Sequence, residues 1–265
     1  MTPLISPTPL IDAFIIRSTG WIVLNRTERR NALNAEMWAA IPPLMKYLDE
    51  HADVRAIVIR GAGAEAFAAG ADISEFDDAR NDAFAAARYD RLNGMAFAAI
   101  RNASTPVIAR IQGYCIGGGL AIALACDMRI ADSTASFALP PARLGLAYPL
   151  DGLRDLTAAI GPSTAKELIF TGRRIKADEA MRIGLIDRVA ADIDGETDAI
   201  CNDIAQGAPL SITHAKHAIN YITARPGHLD DAEIGWLAAR CFDSEDYIEG
   251  RKAFAEKRKP KFKGA

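Results

Sequence analysis

"VIARIQGYCIGGGLAIALACD", residues 107–127, joins an apolar run, a glycine-rich turn and a run of helix formers. Val107 to Ile111 reads as a strand. Gly113 and then Gly117, Gly118 and Gly119 follow, and Leu120 to Ala125 continues without a breaker, so a helix starts at the glycines. The first N–H groups of a helix have no internal partner, and the helix dipole makes that end attractive to negative charge. Glycine lets an atom approach the backbone with no Cβ in the way. The stretch therefore predicts a place for an anionic, or transiently anionic, group.

Outward from it the chain reads as an α/β core with a helical tail. "DAFIIRST" and "GWIVLNR" have the look of two short strands meeting near Gly20. "NAEMWAAIPPLMKYLDEH" has helical apolar spacing, which Pro42-Pro43 should kink or split. "VRAIVIRGAG" is a buried strand ending in a glycine turn, residues 82–101 an Ala-rich helix, and "DMRIAD" a strand after the glycine-rich helix. From 153 onward the pattern is mostly helical. A composition shift at 190–207 marks the passage to the tail, whose basic end "AFAEKRKPKFKGA" reads as a solvated face or one that meets phosphate.

The 265 residues carry a net charge of −3, with 50% hydrophobic and 25% charged residues. That suits one folded domain with an appendage, excludes disorder, and gives no electrostatic case for a nucleic-acid partner. Four cysteines (Cys115, Cys126, Cys201, Cys241) lack metal-ligand spacing, so reduced thiols and no metal site are expected. The N-terminus has neither a secretory pattern nor a membrane span, and the expected setting is cytoplasmic, with no membrane partner.

A second glycine element matters as much as the first. "GAGAEA" (61–66) fits a dinucleotide-binding pattern, but no helix clearly opens there. "AFAAGADISEF" (66–76) reads instead as a glycine turn leading into a helix. One N–H from this turn and one from the triple glycine can converge on a single oxygen, the geometry of an oxyanion hole. Read from spacing alone, both are equally well plain tight turns.

In order along the chain, "ERRNALNAEM", "RAIVIRGAGAEAFAAGADISEF", "TPVIARIQGYCIGGGLAIALACDMRIA", "ASFALPPARLGL", "AKELIFTGRRIKADEAMRIGLIDRV" and "SEDYIEGRKAFAEKRKPKF" resemble the enoyl-CoA hydratase/isomerase (crotonase) superfamily. The resemblance spans nearly the whole chain. It implies an α/β spiral of ββα turns over 1–195 that binds acyl-CoA, and a helical region, 196–265, that assembles trimers, often paired into hexamers. The ligand it implies is a coenzyme A thioester, with no cofactor beyond that CoA moiety. Carried over residue by residue, the oxyanion donors are the N–H groups of Ala71 and Gly118. Arg30 to Ala32 and Ala68 to Ile73 match segments that hold the nucleotide end, with Asp72 supporting the turn that presents Ala71. Phe254 and Lys257 on the terminal helix are expected to approach the ligand, often from a neighbouring subunit.

The chain departs from the family where hydratases hold their water. The two glutamate positions are Ala121 and Pro141 here. Neither can move a proton. "RLGLAYPLDGLRDL" offers Tyr148 and Asp151 instead, and looks most like the methylmalonyl-CoA decarboxylase branch, which carries a tyrosine at the position of Tyr148. That branch, however, has a histidine where this chain has Ala71 and a threonine where it has Pro140. Tyr148 is expected to orient a carboxylate or meet the enolate, or else to pack against the substrate wall. Asp151 is expected to replace the base, or else to cap a helix beginning near Leu153. His214 and His217 are expected at a surface or interface, and Trp21, Trp38 and Trp236 in core or interface. Three functions stay open: enolate chemistry without a glutamate base, decarboxylation foremost; a hydratase, hydrolase or lyase using Asp151 or Tyr148; and a non-catalytic acyl-CoA scaffold.

Overall fold

Strands β1 (Thr2–Pro3), β2 (Ile11–Ile16) and β3 (Thr19–Leu24) pair antiparallel, and β2 alternates buried and wet residues as an outer strand does. The computed structural model describes residues 1–75, 82–223, 239, 242–258 and 260. Helix α1 (Ala35–Glu50) then crosses to β4 (Ala56–Gly61), which pairs parallel with β3. The next strands come in twos: β4 with β5 (Ala66–Ala68), β6 (Val107–Ile111) with β7 (Tyr114–Ile116), and β8 (Met128–Ala131) with β9 (Ser136–Ala138). Each pair is followed by a helix: α2 (Ala83–Asn102), α3 (Gly118–Ala125) and α4 (Leu150–Thr171).

In each pair the first strand joins one sheet and the second joins another. With β10 (Ile175–Lys176) and β11 (Arg188–Val189), the orders are β1-β2-β3-β4-β6-β8-β11 and β10-β9-β7-β5. The corner between β6 and β7 is Gly113, at φ +62, where a Cβ would stand 1.8 Å from the Glu65 carbonyl oxygen. Only glycine fits there. Three ββα turns stacked in this way make the expected spiral.

Between the sheets and helices α1–α4 lies the main core, around Trp38, Phe67, Phe97, Leu120 and Phe137. The other face of β4, β6 and β8 is covered too: Val58, Ile108 and Ile130 pack with Ile193, Ile200 and Cys201. Those last three belong to α6 (Ile193–Gln206), which follows α5 (Ala177–Arg182). Burial on both faces explains why these strands read as unbroken apolar runs. It also places α6 with the core, so a boundary between 195 and 196 cuts through a helix. The tail continues as α7 (Pro209–Thr223) and α8 (Glu245–Ala255). His214 and His217 lie exposed on α7. Trp38 is buried and Trp21 half-buried, while Trp236 and Cys241 lie outside the described residues.

Local expectations needed correction at two places. The β2–β3 hairpin turns at Arg17-Ser18, and Gly20 pairs with Ile15 inside β3, where its missing Cβ leaves room for Leu48 (2.8 Å). Helix α1 runs through Pro42 and Pro43 without splitting, because Met37, Trp38, Ile41, Leu44, Met45 and Leu48 anchor one buried face across both prolines. After Gly70 the described chain forms a three-residue 3₁₀ helix, Ile73–Glu75, and the rest of the helix expected after this glycine turn lies outside the described residues. No described helix is long and apolar enough to cross a membrane.

Candidate active site

Ala71 is positioned by a residue distant in sequence. Leu33 N–H donates to the Gly70 carbonyl and accepts, through its own carbonyl, from Asp72 N–H, both at 2.8 Å. Adjacent peptide groups of an extended segment point opposite ways, so Ala71 N–H faces away from Leu33. On the other side stands the triple glycine. Gly117, at φ +52, donates to the Ala138 carbonyl (2.9 Å) and accepts from Ala121 N–H (3.0 Å). Gly118 is therefore the first residue of α3, and its N–H has no carbonyl within the helix. A Cβ on Gly118 would lie 3.4 Å from the Ala71 nitrogen, so the two amides border one gap. Neither donates to another described residue. Beneath the gap lies Trp38, whose ring would stand 3.0 Å from that same Cβ. Gly119 presses on β5, where a Cβ would meet the Ala68 carbonyl oxygen at 2.4 Å.

Asp72 holds the turn from below. Its carboxylate accepts from Arg26 Nη1 (2.6 Å), Ser74 N–H (3.0 Å) and the Ser74 hydroxyl (2.6 Å). Burial alone would raise its pKa, but the hydrogen bonds from Ser74 and Arg26 outweigh it and hold the carboxyl below the usual range. Asp72 thus stays an anion engaged by the turn itself, and it does not line the cavity beside that turn.

The gap opens into a cavity of about 640 Å³. Its inner wall is apolar, from Ile73, Phe97, Ala121, Ala138, Pro141 and Leu146; its outer part carries the exposed guanidinium groups of Arg30, Arg143 and Arg174. Ala121 and Pro141, the positions that the resemblance matches to the hydratases' glutamates, both line this cavity. No Asp, Glu, His or Lys lines it among the described residues. No described cluster of His, Cys, Asp or Glu could hold a metal ion.

Tyr148 lines the cavity, and its hydroxyl donates to the Gly117 carbonyl at 3.3 Å. That carbonyl belongs to the same peptide group as Gly118 N–H, so the phenol helps fix the plane of a hole donor. Burial, with smaller contributions from Asp155 and Cys115, pushes the phenol's pKa well up, so it stays an O–H donor.

Asp151 is elsewhere. It lies in the first turn of α4, 40% exposed and paired with Arg154 at 3.0 Å, and does not line the cavity. Nor does it cap the helix: α4 begins at Leu150, with Pro149 in the cap position, so Asp151 acts there on the helix dipole. Asp155, one turn on, is engaged by Arg101 (2.5 Å).

Of the residues expected at the nucleotide end, Arg30 and Ile73 line the cavity and Ala32 and Ala68 do not. Arg30 sits over the Tyr114 ring (5.4 Å to its centre) and also pairs with Glu65 (2.6 Å). Phe254, half exposed on α8, lines the cavity of its own chain; Lys257, just past that helix at φ +53, does not. Sequence reading missed Asn93, Phe97, Tyr114, Arg143 and Arg174. For Asn93 a signal existed, a polar residue on the buried α2 stripe between Tyr89 and Phe97.

Comparison with known proteins gives the site its setting. The model of the enoyl-CoA hydratase/isomerase family matches residues 17–265. The chain is 34% identical over 244 residues to the short-chain-enoyl-CoA hydratase of Clostridium acetobutylicum, covering 90% of this chain and 91% of that one. A crystal structure of methylmalonyl-CoA decarboxylase complexed with 2S-carboxypropyl-CoA superposes with a TM-score of 0.89 at 29% identity, over 97% of this chain and 99% of that one. An enoyl-CoA hydratase/carnithine racemase from Magnetospirillum magneticum superposes with a TM-score of 0.80 at 35% identity, over 98% and 97%. With its spiral fold, its paired glycine elements and this match over most of its length, the chain belongs to the enoyl-CoA hydratase/isomerase family.

Proposed function

We propose that the protein is a lyase that removes carbon dioxide from a malonyl-type acyl-CoA thioester. One observation carries the reading: two free N–H groups face a cavity with no carboxylate on its described wall. Enolate formation by proton abstraction needs a base within hydrogen-bond reach. Decarboxylation needs none. The bond between Cα and the carboxylate breaks, its electron pair moves into the thioester, and the enolate oxygen rests between Ala71 and Gly118 N–H while carbon dioxide leaves. Cα then takes a proton from solvent water, giving the saturated thioester. The apolar inner wall disfavours the charged carboxylate and not the neutral product, which lowers the barrier from one side as the hole lowers it from the other. Likeness to methylmalonyl-CoA decarboxylase supports this reading. Hydration is the second reading, favoured by the likeness to the Clostridium hydratase, and it requires an acceptor for the water's proton.

Outside the hole, exposed Arg30, Arg143 and Arg174 suit the phosphates of coenzyme A, with Arg30 and Arg174 on the Tyr114 ring (5.4 and 5.3 Å). Exposed Leu210 and Ile219 on α7 and Ile248 on α8 support closed assembly into a trimer or hexamer. Light scattering should give three or six times the chain mass; a stable monomer would count against assembly.

Tyr148 and Asp151 provide the paired test. Tyr148→Phe should lower turnover of a malonyl-type thioester about tenfold while thioester affinity holds, because it loses one hydrogen bond that fixes the hole. Asp151→Asn should leave turnover within about twofold, since only a surface ion pair is lost. The reverse pattern, turnover lost in Asp151→Asn and kept in Tyr148→Phe, would move the chemistry to Asp151.

A further inference from the structure

Asn93 interrupts an apolar stripe. Tyr89, Asn93 and Phe97 stand four residues apart on one face of α2, with 3%, 5% and 2% of their surface exposed. The two aromatic residues are engaged: Tyr89 hydroxyl accepts from Trp38 Nε1 at 3.1 Å, and Phe97 meets the Trp38 ring edge-on at 5.6 Å. Asn93 is not. Its Oδ1 is sealed from solvent and has no hydrogen-bond partner, yet the side chain lines the cavity into which the Ala71–Gly118 gap opens. A leucine would fill the same space without an unpaired acceptor, so an amide here calls for a partner that arrives with the ligand.

We propose that Asn93 is the specificity-determining residue for the acyl end of the ligand, its amide hydrogen-bonding an oxygen of a carboxylate-bearing acyl group. The inference rests on the reading of this cavity as an acyl-CoA site. The sealed atom is Oδ1 and not Nδ2, so the N–H side of the amide is the one left to the cavity and can meet a carboxylate there. No described acidic residue on the wall repels that carboxylate, and the lining arginines are on the exposed part of the cavity. A single neutral donor orients the group without the ion pair that would stabilise it as a bound anion. That suits a carboxylate about to leave as carbon dioxide.

Thioethers of coenzyme A, which cannot react, separate the possibilities by calorimetry: 2-carboxypropyl-CoA, its hydrocarbon twin isobutyl-CoA, 2-hydroxypropyl-CoA and free coenzyme A. Asn93→Leu should weaken the carboxypropyl ligand roughly 10- to 100-fold, the worth of a hydrogen bond to a charged group, and leave the isobutyl ligand and free coenzyme A within about threefold. Asn93→Asp should weaken the carboxypropyl ligand as well, by repulsion, and serves if the leucine variant does not fold. Asn93→Leu should melt no lower than wild type, because it removes an unpaired acceptor; a merely structural asparagine would show the opposite. Unchanged carboxypropyl affinity in both variants overturns the inference, and a loss confined to the hydroxypropyl ligand overturns the carboxylate assignment. Failure of free coenzyme A and every thioether to bind wild type would instead sink the acyl-CoA reading and this inference with it.

Discussion

Gly118→Pro should lower thioester turnover by about 10²–10³-fold or more, the loss that follows removal of one oxyanion donor. Proline removes the N–H that faces the gap, and it does so at the first position of α3, where a helix accepts proline. The fold should therefore survive better than the chemistry. Gly118→Ala attacks the same gap differently: the amide stays, but the new methyl stands 3.4 Å from the Ala71 nitrogen, where the oxygen belongs, and 3.0 Å from the Trp38 ring. In both variants turnover should fall further than thioester affinity, because the hole acts on charge that develops during reaction. Turnover within threefold of wild type in both would show that this amide does no chemistry.

Gly119→Ala should damage fold and function together. A Cβ there would lie 2.4 Å from the Ala68 carbonyl oxygen and 2.7 Å from Ala68 Cβ, against backbone that cannot swing aside as a flexible side chain can. Helix α3 and strand β5 must move apart, at about 1–3 kcal/mol for overpacking. Strand β5 leads directly to Gly70 and Ala71, so the same movement displaces one donor from the other. Misplacement by roughly 1 Å costs about 10²-fold in rate. Thermal melting and turnover should therefore fall together in this variant, whereas Gly118→Pro should separate them. A normal melting temperature with normal turnover would mean that the two glycine elements are not coupled.

The difference between these neighbours shows what was legible in the sequence. The 107–127 stretch declares itself because strand, glycines and helix are all set by nearby residues, and Gly118 N–H follows from helix geometry alone. Ala71 is different. Its orientation comes from a bridge to Leu33, far away in the chain, which local reading of the glycine turn does not show. Pro42 and Pro43 misled for a related reason: propensity predicts a broken helix, and six buried side chains override it. For Asp151 the sequence left base and helix cap both open, and only the structure shows it paired with Arg154 in the first turn of α4 and off the cavity lining. Asn93 was legible in principle, as a polar residue on an apolar stripe, but nothing in the sequence says that its amide lacks a partner. Ala121 and Pro141 were readable as positions of interest, and the fold brings both to the cavity wall.

Enolate chemistry without a carboxylate base is tested most directly by incubating the wild-type protein with methylmalonyl-CoA and with crotonyl-CoA and following both by mass spectrometry. Loss of carbon dioxide from methylmalonyl-CoA to give propionyl-CoA, with crotonyl-CoA left unhydrated, is the predicted result. Rapid hydration of crotonyl-CoA with methylmalonyl-CoA untouched would contradict it.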